Sequence, residues 1–260
     1  MSNKRLGRRN FMTTGVGIAS AAAAGKALAS ICSSTTAGQP LGPFFPGDGT
    51  PKKDVRESPS GPIAHANDND LTWVRLRNGN VSERADGQIV HVKGKILDSA
   101  CRPISGAVVV IWQASSTGGY NHQGDGANLE FVHPKTGKTV KRLLDPNFQY
   151  WGKAVTDADG AYHFKTVVPG FYPADLRRGW FRPPHIHYLV SALGHSQFVT
   201  QSYFSGKHLE DANFISELNQ KDFLLQNPNI SEEDRKKLVV KFEKSKTGRL
   251  EGVFDITLPS

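Results

Sequence analysis

The sequence predicts an all-β protein, an antiparallel β-sandwich with long loops and one or two short helices. Three observations carry this. Short β-like runs recur from Ile89 to Leu258, turn residues bound several of them, and only the stretch ahead of the last run is strongly helical in pattern. The chain has 260 residues, 38% of them hydrophobic, and two cysteines, so it can bury a substantial core. Disorder, collagen-like repeats and a disulfide-stapled miniprotein are excluded.

The first element is a leader. Lys4, Arg5, Arg8 and Arg9 precede the apolar run Gly15–Ala24, and small residues follow around Ala27-Leu28-Ala29. The apolar run is too short to span a bilayer, so no stable membrane span is expected. Arg8-Arg9-Asn10-Phe11-Met12 resembles a twin-arginine export signal, a route that carries proteins already folded and often already loaded with a cofactor. Cleavage is expected after Ala29, with a periplasmic or extracellular destination. The formal charge of +8 falls to +3 without the five positive residues of 1–29, and no block of Lys/Arg interleaved with aromatics is left to follow a phosphate backbone. Nucleic acid is therefore not an expected partner.

Residues 30–70 read as an extended Pro/Gly-rich arm with one apolar island, Leu41-Gly42-Pro43-Phe44-Phe45-Pro46. Cys32, at its start, and Cys101, in a turn, can form a disulfide in an oxidising compartment, and the sequence leaves that pairing open. A single domain is expected over 71–260. Its strands are read as Ile89–Leu97, Ala107–Gln113, Gly152–Thr156, Ala161–Thr166, His185–Ala192, Gln197–Tyr203 and Val253–Leu258. Asp157-Ala158-Asp159-Gly160 is the clearest turn between them. Ser231 and Asp234 form a helix-capping pattern, with Leu238, Val239 and Phe242 as the apolar stripe of that helix. Asp211–Leu225 reads as a second, more irregular helical segment.

The chemistry concentrates between Gly170 and His187. Side chains on a strand alternate faces, so His185 and His187 point the same way and can close on one metal ion. Alone, the pair favours the plainer reading of two polar residues on a solvated strand face. Its surroundings shift the balance: Arg182 and two prolines precede it, Tyr172 lies 13 residues before His185, and Tyr120 follows Gly118-Gly119 after a strand. Carboxylates near the pair are sparse and the cysteines too distant, so the usual zinc sets fit poorly. A phenol keeps its proton up to a pKa of about 10, so two imidazoles with two phenolates call for a hard, highly charged cation, and iron(III) is one.

Several ordered motifs carry a family resemblance. They are Gly42-Pro43-Phe44, the strand Val108–Gln113 leading to Tyr120, Asp145-Pro146-Asn147-Phe148, the turn at 156–160, Pro169-Gly170-Phe171-Tyr172-Pro173, Arg182-Pro183-Pro184-His185-Ile186-His187 and Thr200-Gln201-Ser202-Tyr203-Phe204. From about Gln39 onward the chain resembles the intradiol ring-cleavage dioxygenases, nearest to their protocatechuate 3,4-dioxygenase branch. The resemblance implies a β-sandwich in which Tyr120, Tyr172, His185 and His187 bind a non-haem iron(III). It further implies cleavage of a catechol with O2 to a cis,cis-muconate, with Tyr172 as the ligand that gives way to substrate and takes up a catechol proton. Arg182 would stabilise negative charge on the ring, Gln201 would donate a hydrogen bond in the pocket, and Gly42 and Pro43 would line it.

The sequence lacks a helical segment like the dimerisation region of catechol 1,2-dioxygenases, which favours the protocatechuate branch. That branch builds its pocket from two different chains, so a partner subunit, a homo-oligomer and a plant- or lignin-derived catechol all stay open. The alternative from another class is a secreted binding module without catalysis. Asp98–Gln113 and Thr156–Tyr172 resemble the strand-turn-strand patterns of transthyretin-like modules, which need neither the histidine pair nor Tyr120. His91 and His163 have no ligand partner at recognisable spacing, Tyr203 and Trp112 read as packing residues, and Trp180 and Phe181 as a wall.

Overall fold

The computed structural model describes residues 35–46, 68–76, 80–126 and 129–260. The leader, Cys32 and much of the arm lie outside the described residues, and with Cys32 the question of its pairing with Cys101. The strands are β1 (Ile89–Leu97), β2 (Val108–Trp112), β3 (Glu130–Val132), β4 (Thr139–Lys141), β5 (Trp151–Val155), β6 (Ala161–Val167), β7 (Tyr172–Asp175), β8 (Trp180–Arg182), β9 (His185–Ser191) and β10 (Phe198–Ser205). Helices α1 (Ala212–Lys221) and α2 (Glu232–Leu238) follow, then β11 (Val239–Lys241), β12 (Glu243–Lys244), β13 (Leu250–Val253) and β14 (Ile256–Thr257).

Two five-stranded sheets face each other. One runs β12-β13-β1-β14, with β6 on the other edge of β1; the second runs β11-β10-β9-β2-β5. Alternation along β1 buries Val90, Val92 and Ile96, and the same period buries Val109 and Ile111 of β2 and Ile186, Tyr188 and Val190 of β9. These inward faces, with Phe164 and Phe254, form the main core.

The expected sandwich is therefore present, with two corrections. Three pairings are parallel rather than antiparallel: β1 with β13, β1 with β14, and β10 with β11. The β10–β11 pair follows from its connection: a parallel neighbour needs a crossover of a dozen or more residues, and the helical segment between these strands supplies it. Ser231 does cap α2, accepting from the Asp234 N–H, but the helix ends at Leu238. Val239 and Phe242 are not on its stripe. The β-branched Val239 and Val240 instead pair with Tyr203 and Phe204 of β10, where branched side chains fit a pleated surface. The ribbons β3–β4 and β7–β8 were not expected from the sequence.

Candidate metal centre

The site lies on the outer face of the second sheet, opposite the main core. His185 and His187 project there from β9 while Ile186 and Tyr188 point inward. Cross-strand register sets Trp112 and Gln201 beside His187 and Tyr203 beside His185. Trp112 stacks flat on the His187 ring at 4.8 Å and 9°. A second apolar cluster of Trp112, Ala114, Tyr120 and Tyr172, with Leu41, Phe44 and Phe45 from the arm, surrounds the pair.

The two tyrosines arrive on loops pressed together. The turn after β2 carries Gly118, and the segment before β7 carries Gly170; a Cβ at either would collide with backbone of the other loop. Tyr120 and Tyr172 then meet edge to face at 5.6 Å. Behind them is a buried ion pair that sequence reading missed. Asp125 accepts the Tyr120 N–H at 2.7 Å, and Arg142 Nη2 reaches both Asp125 oxygens at 2.7 and 2.9 Å. Arg142 Nε donates to the Gly118 carbonyl at 2.9 Å, and its guanidinium lies 5.1 Å over the Tyr172 ring.

All four expected ligand residues converge. His185 Nε2 is 3.2 Å from His187 Nε2, 3.4 Å from Tyr120 Oη and 3.5 Å from Tyr172 Oη. None is more than 6% exposed, so the centre is closed to bulk water. His185 Nδ1 lies 2.6 Å from the Pro183 carbonyl, which fixes the tautomer with its proton on Nδ1 and a bare Nε2 lone pair. His187 Nδ1 is buried and has no hydrogen-bond partner among the described residues.

Burial, reinforced by the Arg182 charge, holds both imidazoles well below the ordinary histidine range, so they are neutral lone-pair donors. Burial likewise pushes both phenols up, that of Tyr120 especially, and only a strong positive charge among them would ionise the pair. Donor atoms bound to one ion at about 2.1 Å, with about 100–110° between bonds, stand about 3.2–3.4 Å apart, and the three separations from His185 Nε2, at 3.2, 3.4 and 3.5 Å, lie within about 0.1 Å of that range. Among the described residues no group of three His, Cys, Asp or Glu gathers elsewhere, and this set contains neither carboxylate nor thiolate. Two imidazoles and two phenols fit a hard trivalent cation such as iron(III).

The remaining expected site residues are nearby. Arg182 is buried and bonds Asp222, Gln201 and Tyr203. Gln201 spends its amide on neighbours: Oε1 accepts from Arg182 at 2.7 Å, and Nε2 donates to the Pro40 carbonyl at 2.8 Å. The arm lies over the site through these bonds and through Gln39 N–H to Val199 O. Gly42, at φ +78°, is so close that a Cβ would stand 3.1 Å from His187 Cε1, whereas the Pro43 side chain is exposed. Phe44 covers Tyr120 at 4.7 Å and Phe45 meets Trp112 at 5.0 Å. Far away on the first sheet, His91 Nδ1 and His163 Nε2 meet at 3.0 Å, a contact invisible until β1 and β6 pair.

A family model described as Dioxygenase matches residues 60–258. The protocatechuate 3,4-dioxygenase beta chain of Burkholderia cepacia is 36% identical over 150 residues, covering 57% of this chain and 55% of that protein. A catechol 1,2-dioxygenase of Pseudomonas sp. (strain EST1001) is 32% identical over 132 residues, covering 46% of this chain and 38% of that protein. The chain thus spans about half or less of the length of the curated relatives it matches. The dioxygenase domain of a dioxygenase carbohydrate-binding protein fusion from Streptomyces sp. SirexAA-E superposes with a TM-score of 0.51 at 22% identity, covering 87% of this chain and 99% of that one. That likeness is one of fold. On the match over 60–258, the chain belongs to the Dioxygenase_C family, the intradiol dioxygenases.

Proposed function

We propose that the protein is a non-haem iron(III) intradiol dioxygenase that opens a catechol ring between its two hydroxyl-bearing carbons, with both atoms of O2 entering a cis,cis-muconate. The observation that carries this reading is the convergence of Tyr120, Tyr172 and His187 on His185 Nε2 within 3.5 Å, in a water-excluded cluster. Iron(III) held by these residues would act as a Lewis acid, keeping the phenols ionised and drawing electron density from a bound catechol.

This chain's own side chains account for the rest. Tyr172 Oη, with the Arg142 guanidinium over its ring, is the base that takes up a catechol proton. Arg182 bears on all four ligands electrostatically, and its Nε and Nη2 are held while Nη1 carries no hydrogen bond among the described residues. Its fixed charge stabilises negative charge developing on the ring carbon that meets O2. Phe44 covers the tyrosine side of the cluster, and Phe45 backs Trp112 on the His187 side.

The substrate class is proposed as a protocatechuate-like catechol. Three of the relatives act, by their names, on protocatechuate, hydroxyquinol and catechol, all of which share the ortho-diol. The leader supports export by the twin-arginine route, with the metal loaded beforehand. The visible spectrum of the purified protein, before and after anaerobic addition of 3,4-dihydroxybenzoate, tests the reading. A tyrosinate charge-transfer band that shifts with the catechol, followed by a muconate product on admitting O2, is expected. A colourless protein that takes up no iron on reconstitution refutes it and favours the binding module. Turnover of 3,4-dihydroxybenzoate no faster than of catechol refutes the protocatechuate assignment alone.

A further inference from the structure

Asp222 caps the C-terminus of α1, and its carboxylate is completely buried. Oδ2 accepts from Arg182 Nε at 2.8 Å and Trp180 Nε1 at 3.2 Å; Oδ1 accepts from the N–H groups of Leu225 at 2.8 Å and Leu224 at 3.1 Å. The next residue, Phe223, is half exposed and stacks on Trp180 at 5.0 Å. One carboxylate thus ties the turn after α1 to β8, the strand that ends in Arg182. The other side of the guanidinium is held by Gln201 Oε1 at 2.7 Å and Tyr203 Oη at 3.2 Å. Two backbone donors fix the carboxylate, and the carboxylate fixes Nε, so the guanidinium plane cannot rotate without breaking charge-assisted bonds.

We propose that Asp222 is a positioning residue for the reaction: it holds the Arg182 guanidinium in one orientation beside the tyrosine–histidine cluster. Asp222 makes no hydrogen bond to Tyr120, Tyr172, His185 or His187, and reaches the cluster through the guanidinium it holds. The proposal rests on the catechol-cleavage reading of the site, but the fixation of Arg182 is measurable in metal-free protein.

The test pairs Asp222→Asn with the exchange rate of the Arg182 Nε–H, followed by nitrogen-15 NMR of the metal-free protein. In the iron-loaded protein, kcat/KM for 3,4-dihydroxybenzoate is then compared in the native and Arg182→Gln backgrounds. D222N is expected to speed the exchange and to lower kcat/KM about 10–100-fold, the scale of a misplaced charged group. In the R182Q background the same substitution should cost less than about twofold, because its partner is already gone. Unchanged exchange, or equal losses in both backgrounds, overturns the proposal. Should D222N not fold, Phe223→Ala carries the test: loosening Trp180 admits water to Oδ2 and should speed the Arg182 exchange, and an unchanged rate overturns the proposal. Wild-type protein that cleaves no catechol refutes the reading of the site and the proposal with it, whereas an active wild type with an unperturbed D222N refutes the proposal alone.

Discussion

Arg142→Met should be among the most damaging single changes outside the four residues proposed to hold the metal. Arg142 and Asp125 are each 2% exposed at the side chain, and removing the guanidinium leaves a buried carboxylate without its counter-charge. Breaking one side of such a pair costs about 3–5 kcal/mol. Loss of the Nε bond to the Gly118 carbonyl adds about 1 kcal/mol. For a chain of this size each kcal/mol shifts Tm by about 2–4 °C, so a fall of about 8–24 °C is expected in a thermal melt of the metal-free protein. Because Asp125 also holds the Tyr120 N–H, the surviving folded protein should take up less iron and show a weaker tyrosinate band. Removing both charges in Asp125→Asn/Arg142→Met should recover much of the stability, since no uncompensated charge is left. A Tm within about 2 °C of wild type for R142M, a shift worth no more than about 1 kcal/mol, would refute the reasoning.

Three further outcomes are expected. Gly42→Ala forces a non-glycine residue to φ +78° and pushes its methyl to 3.1 Å from His187 Cε1, so it should cost about 1–2 kcal/mol in urea unfolding and slow turnover; wild-type stability and rate would contradict that. His185 and His187 are held below the ordinary histidine pKa when folded, so protons favour the unfolded chain: stability of the metal-free protein should be full above about pH 6.5 and fall below it, by up to about 1.4 kcal/mol per pH unit for each, and a flat profile from pH 7 to 5 would count against buried neutral imidazoles. Replacing Arg8 and Arg9 by Lys should leave the protein in the cytoplasm with its precursor uncut, and normal appearance in the periplasmic fraction would rule out the twin-arginine route.

What the sequence determined by itself is what local chemistry writes along the chain. The period-two runs of β1, β2, β6, β9 and β10 appear where apolar alternation placed them, the 157–160 turn closes where Asp and Gly demand it, and Ser231 caps α2. The His185/His187 pair was legible because strand geometry alone puts residues two apart on one face. The ribbons β3–β4 and β7–β8 were not legible: three or four residues carry too little periodicity, and Pro173 sits inside one of them.

Only the tertiary structure decided which face of β9 is the site and which the core, since both faces are buried at His185–Tyr188. It also decided the company of the histidines. Tyr120 is 65 residues from His185, Asp125 and Arg142 are 17 apart, and Arg182 and Asp222 are 40 apart. None of those pairings has a local signature, because a buried charge reveals its partner only when the chain between them has folded back. The helix before it ends at Lys221, but in the sequence Asp222 falls inside the helical segment read over Asp211–Leu225, where nothing distinguishes it from a surface acid. Burial beside Arg182, which removes competing water from both groups, is what gives it a role.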